Sequence, residues 1–322
     1  MNILIVKLSA IGDVIHTLPS LAALRRLYPD AHITWVVEEA ASGLVLHHPL
    51  LNRVIIFRRK KWIEDLKKGN FQSVRQDTCS FLEELRSRRY DLVIDFHGLL
   101  KSVMVVLASG GKRKLGYDSW QELSGLFLNE KIPEDMNKHA VDRYLDFPRY
   151  LGAEPGPAEF ILPVNAETES RSRVAYWETK LWDNEKFADL ADLIKDRMKM
   201  DVVFTGSRKE DAADIVSRMR GEGINLGGET TLAELACIYK DALAVISTDS
   251  GPMHLAAATG TPVIALFGPT DPARTGPYGT GHVIIRADLS CSPCLLKKCP
   301  TRKCMTDIQP EQVLAAVEKL LR

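Results

Sequence analysis

Two short stretches of this 322-residue chain combine residue types that could move a proton and hold an anion. The first follows the apolar run Asn2–Lys7 and reads Leu8-Ser-Ala-Ile-Gly-Asp-Val. Gly12 turns the chain, and Asp13 stands at the mouth of the next helix, where the helix dipole favours an ionised carboxylate. Such a carboxylate beside a ligand accepts a proton; it is equally an ordinary helix cap, and the loop alone does not separate the two. The loop lacks G-x-G-x-x-G and G-x-x-x-x-G-K-[ST], which argues against NAD and P-loop ATP chemistry. The second stretch is Ser247-Thr-Asp-Ser-Gly-Pro-Met-His-Leu-Ala-Ala-Ala-Thr-Gly-Thr-Pro. Asp249 and Ser250 offer side-chain oxygens, Gly251 admits a ligand to the backbone, and the amides of a starting helix suit a phosphate or diphosphate. His254 falls in the first turn; a capped helix with a packing histidine is the plainer alternative.

Lys180, between Trp177 and Trp182, could neutralise a phosphate, although an isolated lysine is usually a solvated surface group. Glu210 could accept ribose hydroxyls at a sheet end, or simply favour the first turn of a helix. Two basic runs, Arg58-Arg-Lys-Lys (Arg58, Arg59, Lys60, Lys61) and Lys112-Arg-Lys, are either anchors for anionic groups or solvated faces. Cys291, Cys294, Cys299 and Cys304 crowd into fourteen positions. Four thiolates can hold zinc tetrahedrally, but these intervals do not form two C-x-x-C knuckles, and cytosolic thiols stay reduced. A reduced loop is expected, with structural zinc and a disulfide the disfavoured alternatives; no cofactor is expected, and the chain lacks an obvious Asp-x-Asp pair for a catalytic metal. Cys79 and Cys237 lie in apolar helical surroundings and read as small core residues.

The elements that must position these residues alternate. Strands are expected at Asn2–Lys7, His32–Val37, Val54–Phe57 and Leu92–Phe96, with helices over Thr17–Tyr28, Ser73–Arg89, Leu99–Ser109 and Asn137–Leu151. LGAEPGPAEFILP then gathers two glycines and three prolines in thirteen residues, which sets a domain boundary: 1–155 and 156–322. The second half repeats the rhythm: helices at Lys186–Arg197, Lys209–Arg220 and Thr231–Tyr239, strands at Asp201–Thr205, Leu243–Ser247 and Pro262–Phe267, and a closing helix over Gln309–Arg322. The fold class is α/β: two Rossmann-like doubly wound domains facing a central cleft, with the chemistry on strand-to-helix loops. Composition agrees, since 45% hydrophobic residues fill two cores and exclude a disordered chain. Forty-two basic against 42 acidic residues remove a global case for nucleic acid. The N-terminus is unlike a signal peptide, and no stretch reaches the roughly 18 apolar residues of a membrane span.

Together, LIVKLSAIGDVIHTLP with WVVEE downstream, DFHGLLKS, HAVDRYL, ETKLW and STDSGPMHLAAATGTPVIALFGPTDP resemble the lipopolysaccharide heptosyltransferases of glycosyltransferase family 9. The resemblance spans nearly the whole chain. It implies a GT-B architecture, an ADP-heptose donor in the C-terminal domain and an acceptor sugar in the N-terminal one, with inversion at the anomeric carbon. Asp13 would be the general base. Lys180, Asp249, Ser250, Gly251 and His254 would hold the diphosphate and sugar, Glu210 the ribose, and Thr230 and Leu232 the adenine, with no metal required. Arg58, Arg59, Lys60 and Lys61 would meet an acidic acceptor, Kdo on lipid A, at the cytoplasmic face of the inner membrane. HTLPSL and WVVEE look most like the first-heptose enzymes, whereas the cysteine-rich tail looks more like the second-heptose ones. The rival readings are another nucleotide-sugar transferase and a nucleotide-sugar binding protein without activity. One departure stands out: where the family carries a helix and a first donor-domain strand, this chain has only VNAETESRSRVAY, so residues are expected to be missing near Ser170–Val174.

Overall fold

The computed structural model describes residues 1–118, 125–163 and 178–322. The expected gap near Ser170–Val174 and Trp177 lie outside them. The chain divides into two units, Met1–Ser170 and Arg171–Arg322. The division falls later than 155 because the proline-rich stretch stays with the first unit: Glu159 pairs with Arg26, and the Ile161 carbonyl bonds the His48 ring at 2.8 Å.

In the first unit the order is β1 (Asn2–Val6), α1 (Ile11–Leu27), β2 (His32–Glu38), β3 (Arg53–Phe57), α2 (Arg59–Lys67), α3 (Phe71–Arg86), β4 (Leu92–Asp95), α4 (Leu100–Ala108), β5 (Arg113–Tyr117), β6 (Glu130–Ile132) and α5 (Ala140–Tyr150). All six strands pair in parallel, in the order β3-β2-β1-β4-β5-β6. β1 is central because Ile3, Leu4, Ile5 and Val6 are all fully buried, the continuous apolar run that a parallel strand covered on both faces requires. The chain leaves β1 toward β2 and returns on its other side as β4, so a topological switch point lies at the carboxyl ends of β1 and β4, where doubly wound sheets bind ligands. The helix expected from Thr17 begins at Ile11, which places Asp13 in its first turn. α1 is buried on nearly every side and packs on α5, so it carries no polar face that would mark its start.

The second unit contains α6 (Asn184–Met198), β7 (Val203–Phe204), α7 (Lys209–Arg218), β8 (Ile224–Asn225), α8 (Leu232–Asp241), β9 (Val245–Thr248), α9 (Gly251–Ala258), β10 (Val263–Phe267), α10 (Pro272–Thr275), β11 (Val283–Arg286), α11 (Lys303–Thr306) and α12 (Pro310–Leu320). Its described strands form two parallel sheets, β11-β10-β9 and β7-β8. Among the described residues no strand joins them as β1 joins β2 to β4 in the first unit. The core packs Trp182, Leu190 and Ile194 against Ile264, Leu266 and the Val313, Leu314 and Val317 stripe of α12.

One expectation needs correction. Cys79 and Cys237 are exposed, not core. On α3 the inward residues are Phe81 and Leu85, and Cys79, two positions before Phe81, points away from them; on α8 the core takes Leu232, Leu235, Ala236 and Tyr239. Of the first basic run, Arg58 precedes α2, and Arg59, Lys60 and Lys61 form its first turn.

Candidate functional site

Asp13 is built into a buried polar cluster at the switch point of the first unit. Lys7 follows β1 and is 3% exposed. Its Nζ donates to the Phe96 carbonyl at 3.0 Å and to the Tyr144 hydroxyl at 2.6 Å, and stands 3.8 Å from Asp13 Oδ1. The Tyr144 hydroxyl donates in turn to Asp13 Oδ1 at 3.1 Å, and the Ala10 N–H donates to Oδ2 at 3.1 Å. Asp13 therefore caps α1 and also belongs to a charged network. Its side chain is 43% exposed, open enough for a ligand to reach.

The electrostatics of this cluster favour an ionised Asp13. Desolvation pushes the Asp13 carboxyl up, but Lys7, the Ala10 amide and the Tyr144 hydroxyl outweigh it and hold the group below the usual carboxylate range. Burial lowers Lys7 against the pull of Asp13 and Asp95, and burial raises Tyr144 far above an ordinary phenol. His97 is pulled down to about 3 by burial and by the charges of Lys7 and Lys101, so it is neutral at pH 7. Asp95, fully buried at the end of β4, accepts from the amides of His97 at 2.9 Å and Gly98 at 3.1 Å and from Ser102 Oγ at 2.8 Å. Gly98 at φ +65° lets the chain turn sharply enough to aim those amides.

Only part of the first basic run reaches this end of the sheet. Lys101 Nζ bonds Ser9 Oγ at 2.7 Å and Glu38 Oε1 at 3.0 Å, and Arg59 Nε lies 3.6 Å from the same Glu38 oxygen. Arg58 faces Glu39 at 3.6 Å, Lys61 pairs with Asp77 at 2.7 Å, and Lys60 is exposed. The second run sits at the amino end of β5, where Arg113 is level with Leu92 and Ile3, opposite the end that holds Asp13.

In the second unit the sequence-predicted residues fall into two groups. Lys180 Nζ bonds Asp249 Oδ2 at 2.6 Å, Thr270 Oγ1 donates to the same oxygen at 2.6 Å, and His254 Nε2 stands 4.0 Å from Oδ1. Asp249 and His254 are buried. Ser250 precedes α9 and turns its hydroxyl to the Thr248 carbonyl at 3.1 Å rather than capping, while Gly251 and Pro252 open the helix. Glu210 is exposed in the first turn of α7, and Thr230 lies just before α8, whose first residue, Leu232, is buried. The loops carrying them are tied together: the Gly228 amide donates to the Gly206 carbonyl at 2.8 Å, and Lys209 pairs with Glu229 at 2.7 Å. Gly227 permits this approach, since a Cβ there would lie 2.8 Å from the Arg208 carbonyl oxygen.

All six cysteines are free thiols. Burial and then the neighbouring Cys294, Cys291 and Cys299 raise the Cys304 thiol, whereas the amides of Arg302 and Thr301 lower Cys299. Among the described residues no group of three or more His, Cys, Asp or Glu is placed to hold a metal. Nor is any described helix long and apolar enough to cross a membrane. The structure adds Lys7, Tyr144, Glu38, Lys101 and Thr270 to the predicted sites. The one signal for Lys7 was a charge closing an otherwise apolar strand; the others are ordinary polar residues until the fold gathers them.

The description "Glycosyltransferase family 9 (heptosyltransferase)" matches residues 78–159 and 170–305. Lipopolysaccharide heptosyltransferase 1 of Pseudomonas aeruginosa is 31% identical over 363 aligned residues, covering 100% of this chain and 98% of that protein. The protein of the same name from Escherichia coli K12 is 30% identical over 308 residues, covering 89% and 94%. Among solved structures, Escherichia coli heptosyltransferase WaaC with ADP superposes with a TM-score of 0.80 at 26% identity, covering 99% of this chain and 100% of that one. WaaC with ADP-2-deoxy-2-fluoro heptose gives 0.78, also at 26% identity, with 99% of each chain covered. The α/β fold with parallel sheets is thus the one these GT-B enzymes share. A family description covering most of the chain and a full-length relative above 30% identity agree: this chain belongs to glycosyltransferase family 9 and is a glycosyltransferase.

Proposed function

We propose that this enzyme transfers heptose from ADP-L-glycero-D-manno-heptose to Kdo of the lipopolysaccharide inner core, on lipid A, with inversion at the anomeric carbon. The observation that carries the reading is Asp13, a reachable carboxylate kept ionised by Lys7, Tyr144 and the Ala10 amide. Asp13 accepts the proton of the acceptor hydroxyl as that oxygen bonds to the anomeric carbon from the face opposite the departing ADP. The bond from that carbon to the diphosphate oxygen breaks, and its electron pair leaves on ADP. Lys180 and the first-turn amides of α9 meet the charge that develops there, with Asp249 and Thr270 fixing Lys180. Glu210, Thr230 and Leu232 hold the adenosine. Arg59 and Lys101 around Glu38, with Arg58, Lys60 and Lys61 further along, offer cations to an acidic acceptor at the cytoplasmic face of the inner membrane. The names of the heptosyltransferase 1 relatives support heptose transfer in lipopolysaccharide synthesis, and the ligands of the WaaC structures support the ADP-heptose donor.

The test is turnover of ADP-heptose with purified Kdo-lipid A in EDTA, following ADP release and product mass. A product heavier by one heptose, formed without divalent metal, is the expected result. Tight ADP binding without product on this acceptor would overturn the Kdo assignment and shift weight to a second-heptose acceptor or a binding role.

A further inference from the structure

We infer that Tyr144 is a positioning residue for Asp13: through its hydroxyl it relays the hold of the buried Lys7 ammonium to Oδ1 of the base and fixes the orientation in which Asp13 meets the acceptor. The inference rests on the reading of Asp13 as general base. Three observations carry it. Lys7 Nζ is 3.8 Å from Asp13 Oδ1, beyond hydrogen-bond reach, yet 2.6 Å from the Tyr144 oxygen, so the phenol stands between cation and carboxylate. That oxygen accepts from Lys7 and donates to Asp13 at 3.1 Å, a chain of bonds in which each member polarises the next. The ring is 5% exposed and packs edge-on to Phe96 at 5.9 Å between centroids, so the hydroxyl has little freedom to turn elsewhere.

The charged and titratable groups around this triad come from every element packed on it. β1 leads to Lys7, β4 ends on Asp95, the loop after it carries His97, α4 carries Lys101, and α5 carries Tyr144 and Arg143. β5 adds Tyr117, whose hydroxyl donates to the Arg143 carbonyl at 2.8 Å. Tyr144 stays protonated throughout the working range, so its bond to Asp13 always favours the ionised carboxylate.

Tyr144→Phe deletes one oxygen and keeps the packing. The expected result is a fall in kcat on the order of tenfold to a hundredfold, an unchanged KM for ADP-heptose, and an acid limb of kcat/KM moved to higher pH. The limb moves up because the carboxylate has lost a bond to its charged form. Incorporation of 3-fluorotyrosine at 144, a stronger donor of the same shape, should move the limb down. A merely structural Tyr144 would lower the melting temperature and leave the limb in place in both variants; that outcome overturns the inference. Asp13→Asn is the control. If it is inactive while the limb ignores Tyr144, this inference alone fails; if it retains turnover, the general-base reading fails first.

Discussion

At Asp13 one carboxylate does two jobs, because the geometry that caps α1 also points Oδ1 at Tyr144. Replacing Asp13 by Asn keeps the shape and removes the proton acceptor, so turnover should drop by about two to four orders of magnitude. ADP affinity, measured by calorimetry, should stay near that of the native enzyme. The pH dependence has a definite sign. A carboxylate with a depressed pKa in the folded enzyme stays charged as pH falls through the usual carboxylate range, so its activity is lost only below that range, whereas its contribution to stability declines from the ordinary carboxylate value downward and is gone once pH has fallen through the depressed one. The acid limb of kcat/KM assigned to Asp13 should therefore lie below the ordinary carboxylate value, and a limb near neutrality would point to another group. Lys180 shows the opposite lesson. Alone in sequence it is indistinguishable from a surface lysine, and its partner lies 69 residues away.

Among the elements, those with one apolar stripe were legible. α12 places Val313, Leu314 and Val317 inward as its spacing predicts, and Leu314→Ala should cost about 2–5 kcal/mol in urea unfolding, because the side chain is fully packed against the α6 and β10 side of the core. Elements that break the rule were not legible. α1 is buried almost all round, so its start could not be set by a polar face, and α2 opens on three consecutive cations, Arg59, Lys60 and Lys61, that carry no apolar spacing. β5, with Arg113 and Lys114 at its exposed start, hides a strand that becomes apolar only at Leu115. Cys79 fails for a related reason: a helix of mixed composition does not announce which side faces inward, and Phe81 with Leu85 settles it.

For the molecule as a whole, ligand linkage separates the roles assigned to its two units. ADP at about a hundred times its Kd should stabilise the protein by about 2.7 kcal/mol, read as a rise in Tm. Lys180→Met should lose most of that rise, and Asp13→Asn should keep it. The sequence by itself determined the α/β class, the repeated strand-helix rhythm, the family and the two loops that carry Asp13 and Asp249. Each of these is written in local features: apolar runs, helix starts, and glycines or prolines at turns. Tertiary structure decided what surrounds those residues. Lys7 reaches Tyr144 across 137 positions, Thr270 reaches Asp249 across 21, and Lys101 reaches Glu38 across 63. The charge state of a buried group is set by such neighbours. No local pattern encodes them, since they meet only when parallel strands bring their carboxyl ends together.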